Sequence, residues 1–236
     1  MTMTITTSIA RQSEMFHNYV AGLDWVLQNK VSPCVVVLAL STGGSQVLDE
    51  AVKTLHDAGC VVVAAAGRSS EQAKTERSWP VLGWSRGLRA PLPVATSAPG
   101  PTPEAGMDDF LHEACRRSPA RSPYVMTVAA SDSVDAAPSW SNTGLCVDLF
   151  APGQDIYTVN FKNDDDYLYA SGTAMATAYV AGAAAIHLAD GVMEAPDTLP
   201  SQLVNELIRM RILKDASTCN VMEAGEGTPN RLLYIM

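Results

Sequence analysis

The sequence predicts an α/β fold in which a parallel sheet packs against helices. Two apolar runs, 34–40 and 60–66, are valine-rich and continuous, which is typical of strands covered on both faces. The amphipathic segment 47–58 lies between them and is followed by Gly59, a residue type that commonly ends helices. Strand, helix and strand at this spacing predict a right-handed crossover unit of a parallel sheet.

Further segments extend the same pattern in chain order. An N-terminal helix is predicted at 15–28, with an apolar side formed by Phe16, Val20, Leu23, Trp25, Val26 and Leu27. Two more strands are predicted at 124–130 and 146–153, followed by an extended hairpin at 155–169. A helix is predicted at 199–213, with Leu203, Leu207, Ile208 and Ile212 pointing inward, and an apolar segment at 229–235 closes the chain.

Length and composition restrict the class of protein. With 236 residues, 47% of them apolar and 17% charged, the chain is long enough for one domain with a substantial core. The net charge of −9 argues against nucleic acid or an anionic membrane as partner. No apolar run reaches membrane-spanning length without polar interruption. The first fourteen residues are Thr-rich and lack the basic start and apolar centre of a signal peptide.

Residues 68–112 interrupt the periodic pattern. The stretch is rich in Pro, Ser, Arg and Gly, and six of the fourteen prolines fall between Pro80 and Pro103. Loops of this length inside a compact domain are usually inserted or disordered. We therefore predict an insertion at 68–112 that is disordered.

The five cysteines do not form a zinc-binding pattern. Cys34, Cys60, Cys115, Cys146 and Cys219 include no Cys-x-x-Cys pair, and no histidine lies at a suitable spacing from any of them. Because their number is odd, at least one thiol is expected to be free.

A turn followed by an alanine-rich run organises the C-terminal half. Ser171, Gly172 and Thr173 open directly into small apolar residues that continue to Ala189. Ser171 or Thr173 can cap the first amides of a helix, and the alanines propagate it. So few bulky side chains predict a buried helix with neighbours close to its backbone.

Residues 171–182, Ser-Gly-Thr-Ala-Met-Ala-Thr-Ala-Tyr-Val-Ala-Gly, closely resemble the nucleophile segment of the subtilases, the subtilisin-like serine endopeptidases. In that family the fourth residue is the serine that attacks the peptide carbonyl, and here it is Ala174. The chemistry needs an oxygen activated by a base, which a methyl group cannot supply. The family's following Pro and His are replaced by Ala178 and Tyr179.

Five other segments resemble the proteinase K-like branch of the subtilases in the right order. They are 20–26, 61–67, 118–130, 146–153 and 228–234. The resemblance implies one partial subtilase domain over 1–236, built as a three-layer subtilisin-like parallel sheet flanked by helices and lacking the N-terminal strands. A missing neighbour strand would leave the edge beside residues 35–40 unpaired.

The departures from the family concern its chemistry. The family's catalytic Asp and His lie upstream of where the resemblance begins, and neither an Asp-Thr/Ser-Gly nor a His-Gly-Thr segment occurs. The four histidines, which all fit surface or helix positions, are His17, His56, His112 and His187. Arg68 stands at the position of the family's oxyanion Asn, and a long forked side chain would change that geometry. The segment that pairs with substrate keeps its glycines at 41–44.

The resemblance also implies two stabilising features. Cys115 and Cys146 correspond to a disulfide pair of aqualysin-like members, with two buried thiols as the alternative. Pro123, Val125 and Asp148 correspond to calcium ligands of proteinase K-like enzymes, with a plain strand end as the alternative. The acidic tip at 164–166 is better explained as a solvated turn.

These observations predict a serine-endopeptidase-type domain of the subtilase family that is catalytically inactive. The alternatives are a non-enzymatic protein-binding module and an incomplete sequence of an active, secreted serine endopeptidase. No cofactor is required, a structural calcium ion is left open as one of the two alternatives for Asp148, and the partner expected is a peptide or protein, not nucleic acid. The family is mostly extracellular or secretory, but no signal peptide is recognised here, so the compartment and the oligomeric state stay open.

Overall fold

The computed structural model describes residues 2–4, 12–68, 114–160, 165–190 and 200–235. The insertion predicted at 68–112 lies outside these residues, apart from Arg68, and so does His112. The expected disorder there and the exact tip of the hairpin near residue 164 are therefore not described.

Strands and helices alternate along the chain. In order, the strands are β1 (Thr2–Thr4), β2 (Cys34–Leu38), β3 (Thr42–Gly43), β4 (Cys60–Ala65), β5 (Arg117–Ser118), β6 (Met126–Ser131), β7 (Leu149–Pro152), β8 (Ile156–Val159), β9 (Tyr167–Ala170), β10 (Ser217–Thr218) and β11 (Arg231–Leu232). The helices are α1 (Gln12–Asn29), α2 (Gln46–Asp57), α3 (Thr173–Asp190) and α4 (Ser201–Asp215).

The central sheet has seven strands in the order β1-β2-β4-β6-β7-β11-β10. All neighbours run parallel except β10 and β11, which are antiparallel. Two small antiparallel pairs lie apart from it, β3 with β5 and β8 with β9. The predicted α/β class and parallel sheet are confirmed.

Alternate residues of the valine-rich strands enter different layers, because successive side chains of a strand point to opposite faces. Val36 and Val62 pack with residues of α1 and α2, including Leu23 and Leu48. Their neighbours on the other face pack with α3 and α4 in the cluster that contains Val35, Val37, Val61, Val63, Val180, Ile208 and Ile212. The structure is therefore a three-layer sandwich with the sheet in the middle, as predicted.

The edge expected to be unpaired is paired. Thr2–Thr4 runs parallel to β2, with Thr2 opposite Val35 and Thr4 opposite Val37. The N-terminal stretch, whose low apolar content gave no strand signal, supplies a short neighbour through backbone hydrogen bonds, which do not depend on side-chain polarity.

The inward face of α4 differs from the prediction. Ile208 and Ile212 are buried as expected, but Leu203 and Leu207 are 50% and 41% exposed. Asn205 is buried between them, and its Nδ2 donates a 2.9 Å hydrogen bond to the carbonyl of His56 at the end of α2. This hydrogen bond between residues distant in the chain stabilises Asn205 on the buried side of α4. With Asn205 buried, Leu203 and Leu207 face outward.

Two disulfides link the described elements. Cys115 and Cys146 are bonded, as the resemblance implied. A second bond joins Cys34 to Cys60, which are opposite each other in the register of β2 and β4. The sequence carried a signal for it, because both valine runs begin with a cysteine. Cys219 is free and exposed.

None of the helices among the described residues is long and apolar enough to cross a bilayer.

Candidate functional site

Ala174 is the second residue of α3, at the carboxyl edge of the central sheet. The amide of Gly172 donates a 2.8 Å hydrogen bond to the carbonyl of Gly153, which directly follows β7. The amide of Gly67, two residues after β4, donates a 3.2 Å hydrogen bond to Oγ1 of Thr173. Open α/β sheets place their sites at this edge, so the start of α3 is the candidate site.

Close approach of backbones fixes the start of α3. A Cβ built on Gly153 would lie 2.6 Å from Cβ of Ala130 and 3.0 Å from the carbonyl of Gly172. Gly67 adopts a φ of +91°, in the region that favours glycine. The turns after β4 and β7 therefore both depend on the absence of a side chain.

The hydroxyl groups beside Ala174 serve the local structure. Thr173 is buried, and its Oγ1 accepts the Gly67 amide. Ser171 Oγ accepts a 2.9 Å hydrogen bond from the amide of Asp155 and lies 3.4 Å from that residue's Oδ1. Ala174 itself is partly exposed and carries only a methyl group.

Arg68 lies at the same edge, since it follows Gly67. Its guanidinium carbon is 5.1 Å from the centroid of the Trp140 ring, within the range of a cation–π interaction. Its backbone forms an antiparallel bridge with Ser141. Asn142, the next residue, is buried, and its side chain donates to the carbonyl of Ala66 at 2.9 Å. Arg68 is thus packed on an aromatic ring, a contact that the sequence did not suggest.

A short strand beside the site has an accessible edge. Strand β3 pairs on one side with β5, with Thr42 opposite Ser118 and Gly43 opposite Arg117. In the part of the chain that the structure describes, no strand pairs with the other side of β3. A Cβ on Gly43 would meet no described heavy atom within 4 Å, so space is open above this strand.

The three described histidines, His17, His56 and His187, lie on α1, α2 and α3. His187 is close to the C-terminal end of α3, roughly 20 Å from Ala174 along the axis at about 1.5 Å per residue. His56 is the penultimate residue of α2 and lies against Tyr124 and Glu206. His17 is an exposed residue of α1.

The predicted calcium ligands meet at the opposite edge of the sheet, where β6 and β7 begin. Arg209 of α4 lies among them: its Nη1 donates to the Pro123 carbonyl at 2.9 Å and its Nη2 to Asp148 Oδ1 at 2.6 Å. Val125 and Arg209 line one small cavity. As arranged, this set does not fit a calcium ion, because a cation is already bonded to two of the three residues.

Burial raises the pKa of the Asp148 carboxyl, while Arg209 and the hydrogen bond from the Thr127 amide oppose that rise. The sequence pattern does not indicate the contact between Arg209 and Asp148, although Arg209 follows the buried Ile208 on α4. Among the described residues, no group of three or more His, Cys, Asp or Glu side chains is arranged to hold a metal ion.

Comparisons with known proteins agree with this architecture. The chain is 35% identical over 216 residues to "Extracellular serine proteinase" of Thermus sp. (strain Rt41A), covering 91% of this chain and 40% of the relative. It is 32% identical over 215 residues to "Alkaline serine exoprotease A" of Vibrio alginolyticus, covering 91% of this chain and 30% of the relative. The chain thus spans less than half the length of these curated relatives.

A solved structure gives the same result. A cold adapted subtilisin-like serine proteinase superposes with a TM-score of 0.66 at 31% identity, covering 93% of this chain and 61% of that chain. The family model described as Subtilase family matches residues 10–231. With that match, the seven-stranded sheet and the glycine-bounded start of α3, the chain belongs to the subtilase family.

Proposed function

We propose that this chain is a subtilase domain that binds peptides without hydrolysing them. The observation that carries the proposal is Ala174 at the start of α3, where the family has its nucleophilic serine. A methyl group has neither an acidic proton that a base could remove nor a lone pair that could attack a carbonyl. In subtilisin, loss of the serine lowers turnover roughly a million-fold. The substitution has this effect whatever residues precede or follow the chain.

The surroundings of Ala174 support the loss of hydrolysis. A replacement nucleophile would have to be Ser171 or Thr173, the flanking hydroxyls. Thr173 is buried and accepts the Gly67 amide, and Ser171 is engaged with Asp155. Moving either hydroxyl toward a substrate would leave a backbone amide without its partner, at a cost of about 1–3 kcal/mol where that amide is buried.

Peptide binding is supported by the edge of β3. An extended peptide can add to an exposed strand through main-chain hydrogen bonds, a mode that needs no catalytic group. Gly43 has open space above it, and Thr42 and Gly43 keep strand geometry through their pairing with β5. The binding function can therefore persist where the hydrolytic function is lost.

Peptide hydrolysis is the second candidate, favoured by the serine proteinases among the relatives. The two are separated by incubating the purified chain with a chromogenic tetrapeptide and with phenylmethylsulfonyl fluoride. We expect no turnover above buffer. Turnover that the inhibitor abolishes would exclude the non-hydrolytic proposal.

Binding is tested with the same tetrapeptide carrying a fluorophore, followed by fluorescence polarisation. Gly43→Tyr places a ring in the open space above β3 and should weaken binding by about tenfold or more, equivalent to about 1.4 kcal/mol. Gly182→Tyr is the matched control, because Gly182 also has open space but lies on the exposed side of α3. Equal affinity of both variants would contradict docking at β3.

We also propose that the chain matures in an oxidising compartment. Two disulfides in a domain of this size are typical of secreted or periplasmic proteins, and a related protein is named an extracellular proteinase. Expression in a reducing cytosol should give a less stable product than export to an oxidising compartment. Equal melting temperatures and equal thiol counts from both would contradict this.

A further inference from the structure

Arg209 joins three separate parts of the fold at the amino ends of β6 and β7. Its guanidinium donates to the carbonyl of Pro123, in the turn before β6, and to Oδ1 of Asp148, just before β7. The other carboxylate oxygen, Oδ2, accepts the amide of Thr127 at 2.8 Å. The Arg209 side chain thus joins α4 to the turn before β6 and to the residue before β7, at the edge of the sheet opposite Ala174.

The groups that Arg209 bonds are those that a hard divalent cation prefers. Calcium takes carboxylate and backbone carbonyl oxygens as ligands. Asp148 is largely buried, with 13% of its side chain exposed, so its negative charge needs a positive partner nearby. A planar guanidinium can donate two charge-assisted hydrogen bonds at the same time. This geometry suits a carbonyl oxygen and a carboxylate oxygen that lie side by side.

Contacts of neighbouring residues of α4 hold Arg209 in this position without a bound ion. Ile208 and Ile212, on the same side of α4, are buried in the core shared with α3 and the sheet. Asn205, one turn earlier, is bonded to the carbonyl of His56. Because these residues anchor the helix, the guanidinium is held next to Pro123 and Asp148 by the fold itself. A free metal ion could bind there only by displacing it.

We propose that Arg209 is a built-in cation that takes the place of a divalent metal ion at Pro123 and Asp148, and that its removal exposes a latent calcium site. The inference is independent of peptide hydrolysis or binding, since it concerns the other edge of the sheet. The role assigned to Arg209 is that of a covalently tethered positive charge bonded to the Pro123 carbonyl and the Asp148 carboxylate.

The test is calcium-dependent thermal unfolding of the whole chain and of three variants. Arg209→Ala removes the guanidinium. Arg211→Ala is the matched control, an arginine of the same helix that pairs with Asp215 at 2.8 Å and is 56% exposed. The double variant Arg209→Ala with Asp148→Asn removes the charged ligand as well. Each is melted in a chelator and across a calcium titration.

We expect the melting temperature of the unmodified chain and of Arg211→Ala to respond alike, and by less than about 1 °C, to calcium. Arg209→Ala should melt lower in chelator and gain about 5–10 °C at calcium about 100-fold above its Kd. The double variant should lose that gain. Magnesium should give a smaller gain, because it requires stricter octahedral geometry.

Two results would overturn the inference. One is a calcium-dependent rise in the unmodified chain as large as the rise expected of Arg209→Ala, because a metal would then bind despite Arg209. The other is an Arg209→Ala variant that folds but does not respond to calcium. If Arg209→Ala does not fold in chelator, Arg209→Gln, which keeps a hydrogen-bond donor without the charge, is measured in its place against the same criteria.

Discussion

The amide of Gly67 donates a hydrogen bond to the hydroxyl of Thr173, and this contact joins the end of β4 to the first turn of α3. The two residues are 106 positions apart in the chain, and both are buried. The bond positions Arg68 and Ala174 at one edge of the sheet. The start of α3 is therefore held in place by residues other than Ala174, the position that we propose for the family nucleophile.

Thr173→Val should destabilise the domain by about 1–3 kcal/mol, because it leaves the buried Gly67 amide without an acceptor. Thr177→Val is the control. Thr177 is equally buried, and its hydroxyl donates to the carbonyl of Thr173 within the same helix. That carbonyl can also accept a hydrogen bond from the helix backbone, so it keeps a partner when the hydroxyl is removed. Urea unfolding followed by circular dichroism measures both, and a smaller loss for Thr173→Val than for Thr177→Val would contradict the assignment.

Gly153→Ala should also be destabilising, by about 1–3 kcal/mol, since the new methyl would overlap Ala130 and the carbonyl of Gly172. Gly182→Ala places the same methyl in open space within a helix and should stabilise by about 0.5–1 kcal/mol. Denaturant midpoints of the two variants give the comparison. If the two variants changed the unfolding free energy by the same amount and in the same direction, close packing would not be the reason for the glycine at position 153.

The stability of the chain should depend on pH through Asp148. Burial raises the pKa of this carboxyl in the folded state, so the folded chain holds the proton more tightly than the unfolded chain does. The contribution of Asp148 to the unfolding free energy therefore falls as pH rises from the ordinary value, about 3.9, through the raised value. Asp148→Asn should remove this dependence.

Arg209→Ala should extend the same pH dependence to higher pH and enlarge the total loss of stability in chelator, because Arg209 opposes the rise in the pKa of Asp148. Unfolding free energies of the unmodified chain, Asp148→Asn and Arg209→Ala, measured across the acidic range, provide the test. A stability of the unmodified chain that increases with pH relative to Asp148→Asn would contradict the stated direction.

The free thiol content should be one per chain. Of the five cysteines, four form the two disulfides and Cys219 is free and exposed. Titration with a thiol reagent without reductant should therefore give one reactive thiol, and Cys219→Ser should give none. Two or more reactive thiols in the native chain would contradict the pairing.

Replacing Cys34 and Cys60 together by alanine should lower the unfolding free energy by about 3–4 kcal/mol for a loop of this length. Thermal unfolding with and without reductant measures the loss. A double variant as stable as the unmodified chain would mean that the bond does not constrain the unfolded state.

Local pattern was sufficient for the two valine-rich strands at the middle of the sheet. The runs that begin at Cys34 and Cys60 became adjacent parallel strands, because a continuous valine run is stable only where both faces are covered. The Ala-rich helix and the β8–β9 hairpin also formed where expected. In each case the signal lies within the segment itself.

Features that depend on a distant partner were missed. Asn205 points inward because His56, 149 residues away in the chain, offers a carbonyl, and this bond turned Leu203 and Leu207 outward. Arg209 reaches Asp148 across 61 positions. Hydrophobic periodicity ranks side chains by polarity alone, so it cannot anticipate a polar residue that is buried with its partner.

Ala174, at the position that we propose for the family nucleophile, carries no reactive oxygen. The most direct test is exposure of the purified chain to a fluorophosphonate probe, which forms a covalent bond with an activated serine, followed by mass spectrometry of the tryptic peptides. The account predicts no adduct on the peptide that contains Ala174, Ser171 and Thr173, at native pH and with the fold intact. An adduct on Ser171 or Thr173 that is lost on unfolding would contradict it.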